Sequence, residues 1–344
     1  MIKTTICVLF LRVVLLPSLL AFSLYFSGNL LAAEAEAPTQ HQSPGTSEGE
    51  AYLPLIKPLP QSLPVDREKA LLGEQLFHDI GLAAGQASCG TCHILERWGT
   101  DGLAKSIDIR GGFDDMNTLS VFNAVLNFRL LWNGDAETPH QQIDKVMNND
   151  RHMGAGWPIA LQYISSREEY IQQFDKLFGG AINPSTVSDA IVEYEKTLIT
   201  PNAPFDHYLR GDNNAIDREQ KQGLKLFIEY GCIACHQGTN VGGNMFARFG
   251  VFIEPYQSTT ASQFDLGRFN VTGKESDRYV MRVPSLRNVA KTGPYFHDGG
   301  TKDLKSAVQS MGYYQLGRMI ADDEAEKIVR FLESLTGEFP EPLK

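Results

Sequence analysis

The sequence predicts a mainly α-helical protein that consists of two similar domains. Apolar side chains recur at the i, i+3, i+4 and i+7 positions of a helix in two C-terminal stretches, which begin at Leu304 and Ile328. A helical pattern with an aspartate in the N-cap position also occurs twice, after Asp66 and after Asp217, and each copy leads into the same short motif. A chain of 344 residues is long enough for two compact domains, each with its own core.

The segments between these landmarks alternate between helices and loops. Residues 187–198 are predicted to be helical, because Ile191, Tyr194 and Leu198 recur at helical spacing. The other predictions are an irregular loop over residues 98–116, a helix or packed turn over 117–128, a largely helical segment over 150–178, and turns with short strands over 246–282. Together they place one domain at residues 66–204 and the other at residues 205–338.

The N-terminal residues are typical of a cleaved export signal. Lys3 and Arg12 accompany an almost continuously apolar run, and small residues around Ala33 offer cleavage sites, so residues 1–33 are predicted to be a signal peptide. An uncleaved membrane anchor is the alternative, but no basic cluster follows the apolar run. Residues 34–65 contain six prolines and are predicted to form a disordered linker. We therefore expect a periplasmic protein without a membrane span after cleavage; association with the cell surface stays open.

The charge of the chain restricts its partners. The formal charge is −10, and removal of residues 1–33 leaves 29 basic and 41 acidic side chains, a charge of −12. This balance argues against nucleic acid and anionic membrane surfaces as partners. It favours a partner protein with a basic docking patch, although acidity also simply keeps an exported protein in solution.

The repeated motif is C-x-x-C-H, and its two copies use every cysteine outside the leader. Two thiols one helical turn apart can each form a thioether with a haem vinyl group, and the following histidine can bind the iron. A four-cysteine zinc site and disulfides are the alternatives, but neither explains the histidine after each pair. The sequence thus predicts two cytochrome c-like domains, each with one covalently attached haem c, held by Cys89, Cys92 and His93 and by Cys232, Cys235 and His236.

Several further short motifs accompany these two copies. They are Asn123-Ala124-Val125, Leu131-Trp132-Asn133-Gly134, Leu198-Ile199-Thr200-Pro201, Pro284-Ser285-Leu286-Arg287-Asn288, Pro294-Tyr295-Phe296-His297, and Met311-Gly312 through Gln315-Leu316-Gly317. With the paired C-x-x-C-H motifs, they resemble those of bacterial di-haem cytochrome c peroxidases, a family that includes the maturation enzyme MauG. The resemblance covers about residues 66–337.

The resemblance implies that the C-terminal haem, on His236, receives electrons from a donor. Met311 matches the family's second axial ligand, and a thioether ligand raises the potential of a haem. Without the family, a methionine at helical spacing is more often a core residue. MauG-type proteins have a tyrosine at this position, so Met311 favours the peroxidase branch.

The resemblance also implies that peroxide binds at the N-terminal haem, on His93. Cleavage of peroxide needs a group that takes a proton from one oxygen and returns it to the other. The family uses a glutamate beside a glutamine; the glutamine matches Gln142, but the glutamate position falls on His152. Because histidine exchanges protons near neutral pH, His152 is the expected acid–base catalyst. Direct binding to the iron and a role at the surface are the alternatives.

Many family members close the N-terminal haem with a histidine from the loop after the first motif. Here Ile109 occupies that position, and residues 98–116 contain no histidine. An aliphatic side chain cannot bind iron. We therefore expect this haem to be open in the oxidised protein unless His152 or His140 fills the site.

Three more features take their roles from the resemblance alone. Trp132 matches a tryptophan between the two haems, where an indole can carry electrons or pack the domain interface. Asn117, Thr292 and Pro294 match a calcium site, whose oxygen donors suit a hard cation. His297 matches a histidine near the C-terminal haem.

The leading prediction is an exported cytochrome c peroxidase, which reduces hydrogen peroxide to water with electrons from a small redox protein such as a cytochrome c or a cupredoxin. The second is a MauG-like oxidase that modifies tryptophan or tyrosine of a partner protein. The third, from another class, is a di-haem electron carrier. Met311 favours the first, whereas His152 and Ile109 keep the second in contention. A homodimer stays open.

Overall fold

A computed structural model describes residues 53–154, 156–255 and 262–343 of the protein, and helices dominate it. The predicted signal peptide and most of the predicted linker, residues 1–52, lie outside the described residues. The helices are α1 Arg67–His78, α2 Cys89–Cys92, α3 Pro139–Met147, α4 Gly156–Ser165, α5 Glu168–Phe178, α6 Pro184–Glu195, α7 Pro204–Leu209, α8 Arg218–Glu229, α9 Phe269–Thr272, α10 Leu304–Ser310 and α11 Asp322–Glu333. In the described ranges, no helix has the length and apolar character that a membrane span needs.

Aspartate side chains begin the two helices that precede the C-x-x-C-H motifs, as predicted. The Asp66 carboxylate accepts a hydrogen bond from the Lys69 backbone N–H at 3.2 Å, which begins α1. The Asp217 carboxylate accepts one from the Gln220 N–H at 2.8 Å, and the Gln220 side chain accepts the Asp217 N–H in return. Both caps satisfy backbone donors that the first helical turn leaves without partners.

Other elements differ from the predictions in detail. The segment over residues 150–178 is divided into α4 and α5, and the helix expected over residues 187–198 is α6, which begins earlier. Its start is set by the Asn183 side chain, which accepts the backbone N–H groups of Ser185 and Thr186. Residues 246–282 contain two three-residue strands, β1 Phe246–Arg248 and β2 Val280–Arg282, which pair in antiparallel register.

Most residues of one hydrophobic cluster precede residue 200, and most residues of a second cluster follow it. The first surrounds α1 and α6 and includes the fully buried Leu72, Phe77 and Ile191. The second surrounds α8 and α11 and includes Phe227 and Phe331. Each cluster therefore lies against the helix that leads into one of the two C-x-x-C-H motifs.

The same close helix crossing occurs in both halves. A Cβ atom on Gly73 of α1 would lie 1.9 Å from the Ala190 carbonyl oxygen of α6. A Cβ atom on Gly223 of α8 would lie 1.9 Å from the Lys327 carbonyl oxygen of α11. Only glycine permits such an approach of two backbones. The shared contact supports the internal duplication seen in the sequence.

Replacement of Gly223 by alanine is expected to destabilise the protein, because the added methyl group overlaps the Lys327 carbonyl and forces α8 and α11 apart. We expect a loss of about 1–3 kcal/mol in the free energy of unfolding, as for other overpacked contacts. Thermal denaturation measures the effect. Gln222→Ala, at the exposed neighbouring position of α8, is the control. Equal melting temperatures for the two variants would contradict the close contact between α8 and α11 at Gly223.

The last part of the predicted disordered linker is ordered, which corrects that prediction. Ile56 and Leu59 are 3% and 1% exposed, and Ile56 belongs to the second hydrophobic cluster. The Leu59 backbone N–H donates to the Asp206 carboxylate at 3.1 Å. The apolar residues between the prolines thus contact the C-terminal half, and burial of their side chains offsets the entropy of ordering this segment.

Candidate active site

Both C-x-x-C-H motifs fold into a single helical turn. The His93 N–H donates to the Cys89 carbonyl at 2.9 Å, and the His236 N–H donates to the Cys232 carbonyl at 3.0 Å. Burial raises the pKa of Cys89 and of Cys232 to about 12. Cys89 packs against the first cluster and Cys232 against the second, so the four thiols do not surround one ion. This arrangement argues against the zinc alternative and suits one attachment site in each half.

The His93 imidazole is prepared to bind a metal through one nitrogen. Its Nδ1 lies 3.1 Å from the Gly99 carbonyl oxygen, which can only accept, so Nδ1 carries the proton. Burial lowers the pKa of His93, although the Gly99 carbonyl and the Asp101 charge oppose this shift. The ring is therefore neutral, and Nε2 keeps the lone pair that an iron ligand needs.

The His236 imidazole lies at a large, mainly apolar cavity of about 260 Å³ in the C-terminal half. Burial lowers the pKa of His236 to about 4, against the opposite effect of the Val241 and Pro284 carbonyls, so this ring is also neutral. Cys232, Cys235, His236 and Met311 line the same cavity. Apolar walls, two thiols, an imidazole and a thioether are the groups that hold a haem c, so the residues present fit that group.

Met311 lies at the start of an irregular turn rather than in the body of a helix. Helix α10 ends at Ser310, and residues 311–315 form a π-helical turn that continues it. Such turns occur frequently at functional sites. A second methionine, Met281 on β2, lines the same cavity. The cavity therefore offers two thioethers, of which Met311 is the one predicted from the sequence.

Trp132 joins the N-terminal half to the wall of this cavity. Its indole Nε1–H donates to the Asn117 carbonyl at 2.9 Å, and its own carbonyl accepts the Arg282 N–H at 2.8 Å. The Trp132 and His297 rings are in edge contact, with centroids 6.3 Å apart. His297 in turn is hydrogen-bonded through Nε2 to the Asp265 carboxylate at 2.7 Å. These contacts fix the indole at the junction of the two halves.

His152 forms a pair with a carboxylate close to His93. Its Nε2 lies 2.9 Å from Oδ2 of Asp114. Burial opposes ionisation of Asp114, but the hydrogen bond and the charge of His152 hold the pKa of this carboxyl below its usual value. Because Nε2 faces this carboxylate, Nδ1 is the ring nitrogen that is left to exchange a proton with a bound molecule. A positive charge on His152 contributes to the lowering of the pKa of His93, so the two imidazoles are near enough to interact.

Arg151 connects the loop that contains Ile109 to the turn that contains His152 through ion pairs and a backbone hydrogen bond. Its guanidinium binds the Asp108 carboxylate at 3.1 Å and also contacts Asp115. The Ile109 backbone N–H donates to the Arg151 carbonyl at 3.0 Å. The Ile109 side chain lies against Gly154, where a Cβ atom would be 2.2 Å from its Cδ1. The loop and the catalytic candidate are thus held together by ion pairs and by packing.

The remaining predicted residues occupy different places. Gln142 is half-buried on α3, and in the described ranges its side chain forms no hydrogen bond that joins it to His152 or His93. His140 is half-exposed and binds Asp189 at 2.7 Å, which holds it at the surface. The three predicted calcium ligands, Asn117, Thr292 and Pro294, all line the cavity that His236 also lines. Asp114 and Arg282 were not predicted from the sequence, because only the fold brings them to the two sites.

Comparisons with known proteins agree with this architecture. A family model described as di-haem cytochrome c peroxidase matches residues 67–214. The cytochrome c551 peroxidase of Pseudomonas aeruginosa is 40% identical over 83% of this chain and 85% of its own length. That of Nitrosomonas europaea is 38% identical over the same shares. A solved structure of a MauG-like protein associated with microbial copper homeostasis has a TM-score of 0.69 at 24% identity, covering 82% of this chain and 93% of that one, and shows the shared fold.

The two helical halves, each with a C-x-x-C-H turn and a neutral imidazole, define a di-haem protein of the cytochrome c type. The chain belongs to the di-haem cytochrome c peroxidase family and is an enzyme of its peroxidase branch. This confirms the family predicted from the short motifs. Membership implies two haem c groups.

Proposed function

We propose that the protein is an exported peroxidase, which reduces hydrogen peroxide to two waters with two electrons from a small redox protein. The observation that carries this proposal is the difference between the two sites. His236 shares its cavity with a thioether, whereas His93 has a histidine–carboxylate pair nearby. The first set of groups suits electron transfer and the second suits proton transfer.

Each residue has a separate task in this proposal. Cys89, Cys92 and His93 hold one haem, and Cys232, Cys235, His236 and Met311 hold the other. When bound, the haems supply redox-active iron. His152 accepts a proton from one peroxide oxygen and returns it to the other at Nδ1, while Asp114 fixes the ring through Nε2. Gln142 is proposed to orient the peroxide, and Trp132 to carry electrons between the halves.

A stopped-flow experiment tests the proposal. The oxidised holoprotein is mixed with hydrogen peroxide, and a reduced small cytochrome is then added. We expect rapid absorbance changes with peroxide followed by oxidation of two cytochrome equivalents per peroxide. No spectral change with peroxide would leave only an electron carrier and would contradict the proposal.

One observation favours a MauG-like oxidase as the second candidate function. Ile109 occupies the loop position where many peroxidases of the family have a closing histidine, so the oxidised protein would react without prior reduction. The experiment would support this candidate if peroxide produced a long-lived oxidised form of the protein. This form would not react with reduced cytochrome but would oxidise tyrosine or tryptophan of a partner protein. The peroxidase is preferred because Met311 lies at the same cavity as His236.

An exposed apolar patch beside Met311 is proposed as the docking site of the electron donor. The patch consists of Val251, Phe252, Tyr313 and Met319, and Phe252 and Met319 are 68% and 80% exposed. The Phe252 N–H donates to the Tyr314 carbonyl at 3.2 Å, which ties the patch to the turn that begins at Met311. Exposed apolar patches of this kind are frequent at protein interfaces.

Phe252→Ser is expected to raise the KM for the donor and to leave the reaction with peroxide unchanged, because only the contact with the donor loses apolar surface. Steady-state kinetics with a reduced cytochrome measure the effect. Ile159→Ser, at another exposed apolar position in the N-terminal half, is the control. An unchanged KM would exclude this patch as the docking site.

Export to the periplasm and calcium are the remaining parts of the proposal. The sequence of residues 1–33 supports export. Asn117, Thr292 and Pro294 line the same cavity, which supports a calcium site between the halves. Atomic emission analysis of the purified holoprotein would measure the calcium content directly.

A further inference from the structure

The C-terminal cavity is lined by a positive charge for which the described residues provide no carboxylate partner. Arg248, Arg282 and Arg287 line this cavity, and no aspartate or glutamate in the described part of the chain does. This excess of arginine over acidic residues in the cavity lining is unexpected in a protein with a formal charge of −10. Two of the three arginines form ion pairs with carboxylates outside the cavity lining. Arg287 binds Asp206 at 2.8 Å, and Arg248 binds Glu254 at 3.2 Å.

Arg282 differs from the other two arginines. It is 3% exposed, and its Nε–H donates to the Leu131 carbonyl at 3.2 Å. Its Nη1 is buried and has no hydrogen-bond partner among the described residues. Burial lowers the pKa of Arg282 to about 10, so the side chain remains protonated at neutral pH. Because a buried cation without a carboxylate partner is costly, the site is suited to an anion that the described residues do not supply.

We propose that Arg282 binds a propionate carboxylate of the C-terminal haem. The groups that would hold this haem, Cys232, Cys235 and His236, line the same cavity as Arg282. Guanidinium and carboxylate form charge-assisted hydrogen bonds that are often bidentate. The proposal rests on the proposed attachment of a haem at these cysteines and goes beyond it, because it assigns a residue to the propionate.

The position of Arg282 also gives the contact a role in electron transfer. Its backbone N–H donates to the Trp132 carbonyl at 2.8 Å. Binding at Arg282 would therefore hold the propionate beside the segment that contains Trp132. A cation at this edge also favours the reduced iron over the oxidised iron, which has one more positive charge, and so raises the potential of this haem.

Arg282→Gln is expected to lower the midpoint potential of the C-terminal haem and to leave that of the N-terminal haem unchanged. We expect about a tenfold decrease in the equilibrium constant for reduction, which corresponds to about 59 mV for one electron. Arg282→Lys, which keeps the charge, is expected to restore most of the potential. Absorbance-monitored redox titration of the holoprotein measures both variants. Arg278→Gln, which removes an arginine paired with Glu275 at the surface, controls for net charge.

Three results would overturn the assignment of Arg282. They are an unchanged potential in Arg282→Gln, equal losses in the glutamine and lysine variants, and an equal shift in the Arg278 control. If Arg282→Gln does not retain the haem, the test is the propionate bending band in the resonance Raman spectrum of Arg282→Lys. A shifted band supports the contact, and an unchanged band refutes it. A haemochrome assay that finds one haem per unsubstituted chain would instead refute the proposed attachment.

Discussion

Replacement of His152 by alanine is expected to slow the reaction with hydrogen peroxide by about 10²- to 10⁴-fold, the usual effect of losing a general acid–base group. This loss corresponds to roughly 3–5 kcal/mol in the activation free energy. The physical reason is that the alanine variant lacks the side chain that moves the proton from one peroxide oxygen to the other. The second-order rate constant from stopped-flow absorbance is the measurement. Asp114→Asn should give a smaller loss, because the imidazole remains but is less firmly oriented.

A histidine elsewhere on the surface provides the control for this prediction. His140→Ala removes an imidazole that binds Asp189, and it should leave the rate unchanged. Two outcomes would count against the proposed role of His152. An unchanged rate would remove it from the reaction. A faster rate would mean that His152 binds the iron and blocks peroxide, which is one of the two alternatives left open by the sequence.

Met311→Leu is expected to reduce turnover with the electron donor by at least about tenfold, while the first reaction with peroxide stays fast. Leucine has a similar volume, so the cavity stays packed, but it cannot bind iron. Loss of the thioether lowers the potential of the C-terminal haem, and each tenfold change in its reduction equilibrium corresponds to about 59 mV. Steady-state oxidation of a reduced cytochrome and redox titration measure the two effects.

Two other methionines make this prediction specific. Met281→Leu alters the other thioether at the same cavity, and Met319→Leu alters one at the surface. Both variants should retain the potential of the C-terminal haem. A large fall in Met281→Leu together with a normal potential in Met311→Leu would show that the ligand is Met281 and that the family correspondence fails at this position.

Local signals in the sequence were sufficient for much of the fold. The aspartate caps at Asp66 and Asp217 and the spacing of apolar residues predicted the helices, because capping and helical periodicity act over a few residues. The C-x-x-C-H motif is equally local, so its turn geometry follows from the sequence. The early start of α6 was missed, although the Asn183 cap and Pro184 at the first helical position are local signals of the same kind.

Features that depend on distant residues were not predictable in the same way. Asp114 and His152 are 38 residues apart, and only the folded loop brings them together. That no carboxylate of the described residues pairs with Arg282 is likewise a property of the packed cavity rather than of any motif. The order of the apolar residues around Ile56 was not predicted, because the many prolines give this segment the composition of a linker.

Electron paramagnetic resonance of the fully oxidised protein tests the central claim most directly. We predict one low-spin ferric signal, from the iron bound by His236 and Met311, and one high-spin signal from the iron bound by His93, which disappears when peroxide is added. Two low-spin signals before any reductant is present, both unaffected by peroxide, would contradict the claim that one iron has an open position.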